Sequence, residues 1–79
     1  MKIKIYTTTT CSHCEPYIQY VRELASSDTE IEVYHLDKLP EDYVASLNIR
    51  SVPYTEIWED GRLVDKWFGS SKKIERYLL

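Results

Sequence analysis

The stretch Ile5-Tyr6-Thr7-Thr8-Thr9-Thr10-Cys11-Ser12-His13-Cys14 decides the fold. Ile3 and Ile5 alternate with Lys2 and Lys4, the period-two pattern of a strand that ends near Thr7. From Cys14 onward Tyr17, Ile18, Val21, Leu24 and Ala25 recur at helical spacing, which predicts an amphipathic helix over residues 12 to 26. The two cysteines, the only ones in the chain, thus fall between a strand and the start of a helix. A helix N-terminus stabilises a thiolate through its unpaired backbone N–H groups and the positive end of its dipole. Cys11 is expected there, exposed, with Cys14 one turn into the helix beneath it. A thiolate on Cys14 can then attack a mixed disulfide on Cys11 and release the partner. Cys11 is the candidate nucleophile and Cys14 the candidate resolving thiol.

C-x-x-C also marks half of a zinc site. A structural zinc wants four ligands, and the other nitrogen donors are His13, inside the motif, and His35, far along the chain. No second C-x-x-C exists, so redox chemistry is the better reading of the pair, ahead of zinc or of inert buried thiols.

With 79 residues the chain makes one domain, residues 1 to 79, near the lower limit for folding without a staple. A hydrophobic content of 43% supplies an economical core. A net charge of −3, with no dense Lys/Arg cluster, argues against nucleic acid as a partner; Lys72-Lys73 reads as a solvated helix face. No apolar stretch reaches membrane-spanning length, and Met1-Lys2-Ile3-Lys4-Ile5 runs straight into a strand in place of a signal peptide. The expected location is the cytoplasm, where a lone cysteine pair turns over and does not persist as a cross-link.

Glu30 to Leu36 alternates as a second strand with Ile31 and Val33 inward, and a short helix follows Pro40 over Glu41 to Leu47. A strand from Pro53 to Trp58, a turn at Glu59-Asp60-Gly61 and a return from Leu63 to Phe68 make a hairpin, for which Asp-Gly is a strong signal. Gly69 breaks the last strand, Ser70 or Ser71 caps a terminal helix, and Ile74, Tyr77 and Leu78 form one face of it. The order is β-α-β-α-β-β-α, an α/β fold. A parallel pair joined by a right-handed crossover and an antiparallel hairpin give a four-stranded mixed sheet flanked by three helices. Lys4 is out of place in a central strand covered on both faces. A cross-strand Lys4–Glu56 pair on a thinly covered face is the expected resolution, with the helix at 41 to 47 as incomplete cover. Trp58 and Trp67 are expected to fill the faces of the hairpin, and Tyr17 to shield the disulfide or pack.

Three segments carry a resemblance. Asn48-Ile49-Arg50-Ser51-Val52-Pro53 is similar to the stretch that precedes a cis-proline facing the redox cysteines in thioredoxins. The spacing from Pro53 to Gly61 and from Gly61 to Gly69 follows the thioredoxin hairpin, while Ile5 to Cys11 is closer to the lead-in of glutaredoxins. The chain resembles a minimal member of the thioredoxin/glutaredoxin superfamily over essentially its whole length. That resemblance implies a thioredoxin-like fold and a cis Val52–Pro53 bond. The Val52 backbone would pair with an extended substrate segment beside Cys11, and Gly69, permitting close backbone approach, would line the other wall of the groove. Ser12 stands where proline is common and leaves an extra backbone donor near Cys11. His13, as in the C-P-H-C of bacterial disulfide oxidants, is placed to donate to the Cys11 thiolate or pair with it, which favours the reduced form.

The chain departs from both families. Glutaredoxins carry Lys or Arg three residues before the first cysteine and Asp at the start of the last helix, which grip glutathione; here Thr8 and the Ser71-Lys72 region stand there. Thioredoxins carry Trp before the first cysteine and a buried Asp below the second; here the matching residues are Thr10 and Ile5, so proton transfer from Cys14 needs water or another group. The resemblance implies a thiol–disulfide oxidoreductase that reduces disulfides of partner proteins, monomeric and without a bound cofactor. Its electrons would come from a thioredoxin reductase-type flavoenzyme or from glutathione. The alternatives are a glutathione-dependent glutaredoxin, an iron–sulfur-cluster-binding dimer sharing Cys11, and a redox-inactive adaptor.

Overall fold

In the computed structural model, which describes residues 1–79, β1 (Lys2–Thr7) leads into α1 (Cys14–Leu24) and then β2 (Glu30–His35). A 3₁₀ turn at Leu36–Lys38 and a short α2 (Glu41–Leu47) carry the chain to β3 (Tyr54–Glu59) and β4 (Arg62–Phe68). A second 3₁₀ turn, Lys72–Ile74, runs into α3 (Glu75–Leu78). The sheet order is β2-β1-β3-β4, with β1 parallel to β2 and antiparallel to β3, and β3 antiparallel to β4. This is the β-α-β-α-β-β-α mixed sheet that the periodicities predict. The boundaries move slightly. α1 opens at Cys14 instead of residue 12, because Cys11 to His13 stay in a turn, and it closes at Leu24. Pro16 is then the third helical residue, where its missing N–H would have had no intrahelical partner. β2 stops at His35 because Leu36 enters the 3₁₀ turn.

One core lies between the sheet and the face carrying α1 and the C-terminal segment. Ile3, Ile5 and Ile57 from the sheet meet Cys14, Tyr17, Ile18 and Val21 from α1, closed by Trp67 and by Ile74 of the second 3₁₀ turn. Ser71 caps that turn, its Oγ accepting from the Lys73 N–H at 3.1 Å.

Trp67 reaches the core through an irregularity the sequence pattern does not show. Asp60 and Gly61, with φ of 51° and 76°, make the tight turn between β3 and β4. Trp58 then pairs with Leu63, but Ile57 pairs with Asp65, leaving Val64 without a partner. This β-bulge reverses which face each later residue takes. Asp65 and Trp67 turn towards α3, where the Tyr77 hydroxyl donates to Asp65 at 2.6 Å and the Tyr77 ring stacks on Trp67.

The opposite face of the sheet is dressed in rows. Tyr34, Tyr6, Tyr54 and Phe68 stand side by side across all four strands, with neighbouring ring centroids 5.1, 5.7 and 5.0 Å apart. Burial pushes the Tyr6 and Tyr54 hydroxyls up to about 12. In the next row Glu32, Lys4, Glu56 and Lys66 alternate in sign across the register. Lys4 and Glu56 are cross-strand partners, yet their ion pair is not made. Both use Trp58 instead: the Lys4 ammonium lies 4.7 Å from the ring centroid, and the indole N–H donates to Glu56 at 2.9 Å. Trp58 therefore covers charge, and only Trp67 fills the core.

Candidate redox site

The register brings the predicted site residues to one end of the sheet. β1 ends at Thr7, and Tyr6 pairs with Tyr54, so Pro53 lies at the same end. Tyr54 pairs with Phe68, which places Gly69 there too. The Val52–Pro53 bond is cis, and the Gly69 N–H donates to the Pro53 carbonyl at 2.7 Å. Gly69 has φ of 87°, and a Cβ built on it would meet nothing within 4 Å. Within the chain its glycine answers to backbone conformation, since that φ is one that side-chain-bearing residues rarely adopt.

Cys11 and Cys14 form a disulfide with Cα atoms 5.5 Å apart. Cys14 is 1% exposed within the core cluster, whereas Cys11 is partly exposed and packs on its rim together with Val52. Ser12 and His13 are exposed in the turn, and His13 occupies the N-cap position of α1 with no side-chain capping bond. The Cys11 N–H donates to the Thr8 carbonyl at 3.3 Å, closing the turn before the motif.

Two supports for this end were not visible in the motif. The Thr9 N–H donates to Asp37 Oδ1 at 3.2 Å and the Thr9 hydroxyl to Oδ2, tying the lead-in to Cys11 to the connection after β2. The Thr9 hydroxyl, foremost, holds the Asp37 carboxyl below its usual value. Under the site, the Tyr17 hydroxyl bonds Thr55 Oγ1 at 2.7 Å and accepts from the Trp67 indole at 3.2 Å. Burial raises the Tyr17 hydroxyl, with those two hydrogen bonds opposing. Tyr17 therefore packs. Its place on the buried face three residues after Cys14 was the available signal; Thr55 gave none. Ile5, fully buried and paired with Thr55, leaves no carboxylate beneath Cys14.

A partly exposed sulfur bonded to a buried one, at a helix start and at the same end of the sheet as the proline loop, can open to an incoming thiolate at Cys11 and re-form from Cys14. No family model and no curated protein matches the chain by sequence. Its fold is similar to thioredoxin 1 from the thermophilic eubacterium Thermosipho africanus, with a TM-score of 0.78 and 28% identity over 99% of this chain and 94% of that one. The oxidised thioredoxin from Plasmodium falciparum superposes with a TM-score of 0.77 at 19% identity, covering 99% of this chain and 81% of that one. The glutaredoxin-like protein NrdH-redoxin from Escherichia coli gives 0.68 at 24% identity over 96% and 93% of the two chains. With the thioredoxin fold and a disulfide at the start of α1, the chain is a small protein of the thioredoxin/glutaredoxin superfamily and a thiol–disulfide oxidoreductase in general type.

Proposed function

We propose that this protein reduces disulfides in partner proteins, as a cytoplasmic monomer with no bound cofactor. The observation that carries the reading is the asymmetry of the pair, Cys14 sealed in the core and Cys11 at the rim. In the reduced state the Cys11 thiolate attacks a partner disulfide, forming a Cys11–partner bond and expelling the partner's other sulfur as thiolate. Cys14 gives its proton to water and attacks Cys11 Sγ; the Cys11–Cys14 bond forms and the partner leaves with both sulfurs reduced. The Val52 backbone, ahead of Pro53, pairs with the partner segment, Gly69 walls the far side, and the Ser12 N–H and His13 imidazole favour the Cys11 thiolate.

Electrons return from a thioredoxin reductase-type flavoenzyme or from glutathione. The residues at the glutathione-gripping positions of glutaredoxins, Thr8 and Ser71-Lys72, favour the flavoenzyme. The test measures insulin reduction coupled either to NADPH and a thioredoxin reductase or to glutathione and glutathione reductase. Turnover with the first and little with the second is expected. Turnover with glutathione alone would make the protein a glutaredoxin in activity; none with either, despite reduced thiols, would overturn the reading. Visible absorbance after anaerobic purification would point to cluster binding instead.

A further inference from the structure

Next to the cysteine motif, from which His13 lines it, an open hollow of about 330 Å³ lies between α1 and the loop after β4. Pro16, Tyr17 and Tyr20 line it from α1 and Ser71 and Lys72 from the loop, together with His13. Both walls are held by bonds within the chain. The Tyr20 hydroxyl donates to Glu75, which occupies that carboxylate. The loop is fixed by the Ser71 N–H donating to the Gly69 carbonyl at 3.0 Å and by the Ser71 side chain capping the 3₁₀ turn. Lys72 is exposed and forms no ion pair, since the three ion pairs of the chain all lie around Met1 and Lys2.

A preformed hollow of this size takes one large apolar side chain, and an uncommitted ammonium on its rim attracts a carboxylate next to it. We infer that this cavity is a specificity pocket that selects partner disulfides flanked by an aromatic or large aliphatic residue and an acidic one. The inference rests on the disulfide-reductase reading and names the polypeptide class on which that site acts. Apart from His13 the lining lies outside both the cysteine motif and the proline loop, and the selectivity resides chiefly in Pro16, Tyr20 and Lys72.

The test uses the reduced full chain and four cysteine peptides, each in mixed disulfide with 5-thio-2-nitrobenzoate. The cysteine is flanked by Phe and Asp, Phe and Lys, Gly and Asp, or Gly and Lys. Cys11 attacks the peptide sulfur and the coloured thiolate leaves; Cys14, its proton given to water, then attacks Cys11 and the peptide departs as a thiolate that takes its proton from solvent. Phe over Gly should gain about tenfold in second-order rate, as for other apolar pockets. Asp over Lys should gain roughly two- to fivefold, shrinking in high salt as an exposed pair must. Lys72→Glu should reverse the Asp/Lys order and keep Phe ahead of Gly, a swap that damage to the fold would not produce. Equal rates for all four peptides, or an Asp preference that survives Lys72→Glu, would overturn the pocket. Failure to release thiolate from any peptide, while dithiothreitol releases it from all, would count against the reductase reading itself.

Discussion

Burial separates the two cysteines more sharply than sequence does. Cys14 sits in the core at 1% exposure, so a reagent from solvent meets Cys11 first. Cys11→Ser should abolish insulin reduction, whereas Cys14→Ser should leave a protein that accumulates a long-lived mixed disulfide with its target, visible as a mass adduct. Preferential alkylation of Cys14 at neutral pH would reverse these assignments. His13 caps α1 with no bond from its imidazole in the disulfide form, so any influence must appear when a thiolate is present to receive it. His13→Ala should make the disulfide harder to reduce, and a redox titration reads the effect. A tenfold change in the equilibrium corresponds to about 30 mV for this couple, so a much smaller shift would mark His13 as a bystander. The placement of the pair, one sulfur partly exposed to solvent and one buried at the helix start, was legible in the sequence because spacing and the helix start coincide there.

Contacts between segments were less legible. The Thr9–Asp37 link joins residues 28 apart, and neither residue type announces the other. Because the folded state lowers the Asp37 carboxyl from its ordinary 3.8, the link is complete above that value and is lost as pH falls through the lower folded one. Carboxyl-detected NMR should therefore place the Asp37 midpoint below 3.8, and Asp37→Asn should speed exchange of the Thr9 amide. An unshifted midpoint would show that the link is absent in solution. The hairpin was legible from Asp60-Gly61, but the bulge was not, since Leu63-Val64 reads as two ordinary apolar strand residues. Deleting Val64 should force either the turn or Trp67 onto the wrong face. The expected result is loss of cooperative unfolding by circular dichroism, whereas Val64→Thr should keep it.

The domain as a whole is stabilised by a single layer of core beneath one face of the sheet, with Ile74 fully buried where the C-terminal segment docks. Ile74→Ala should cost about 2–5 kcal/mol in urea unfolding. Set against the roughly 5–15 kcal/mol typical of whole domains, that is a large share for one residue, so the melting temperature should fall markedly. A loss well under about 1 kcal/mol would mean that the terminal segment docks only weakly. The opposite face needed no second apolar layer. Its aromatic row, Tyr34 to Phe68, packs on itself, and the charges beyond it follow the alternation of Lys2 and Lys4 that made β1 look unfit for the middle of a sheet. That alternation was readable; the use of Trp58 by both Lys4 and Glu56 was not, because it depends on side-chain direction across strands.

The unpaired Val64 bears on solubility as well. β4 is an outer strand of the sheet, and half-exposed Leu63, Val64 and Phe68 would otherwise offer a sticky, hydrogen-bonding template to another chain. An incoming strand that matched the first part of β4 would fall out of step past Val64, where the facing of side chains reverses and the backbone twists more strongly. The extra residue that turns Trp67 inward also guards the open flank of the molecule against aggregation.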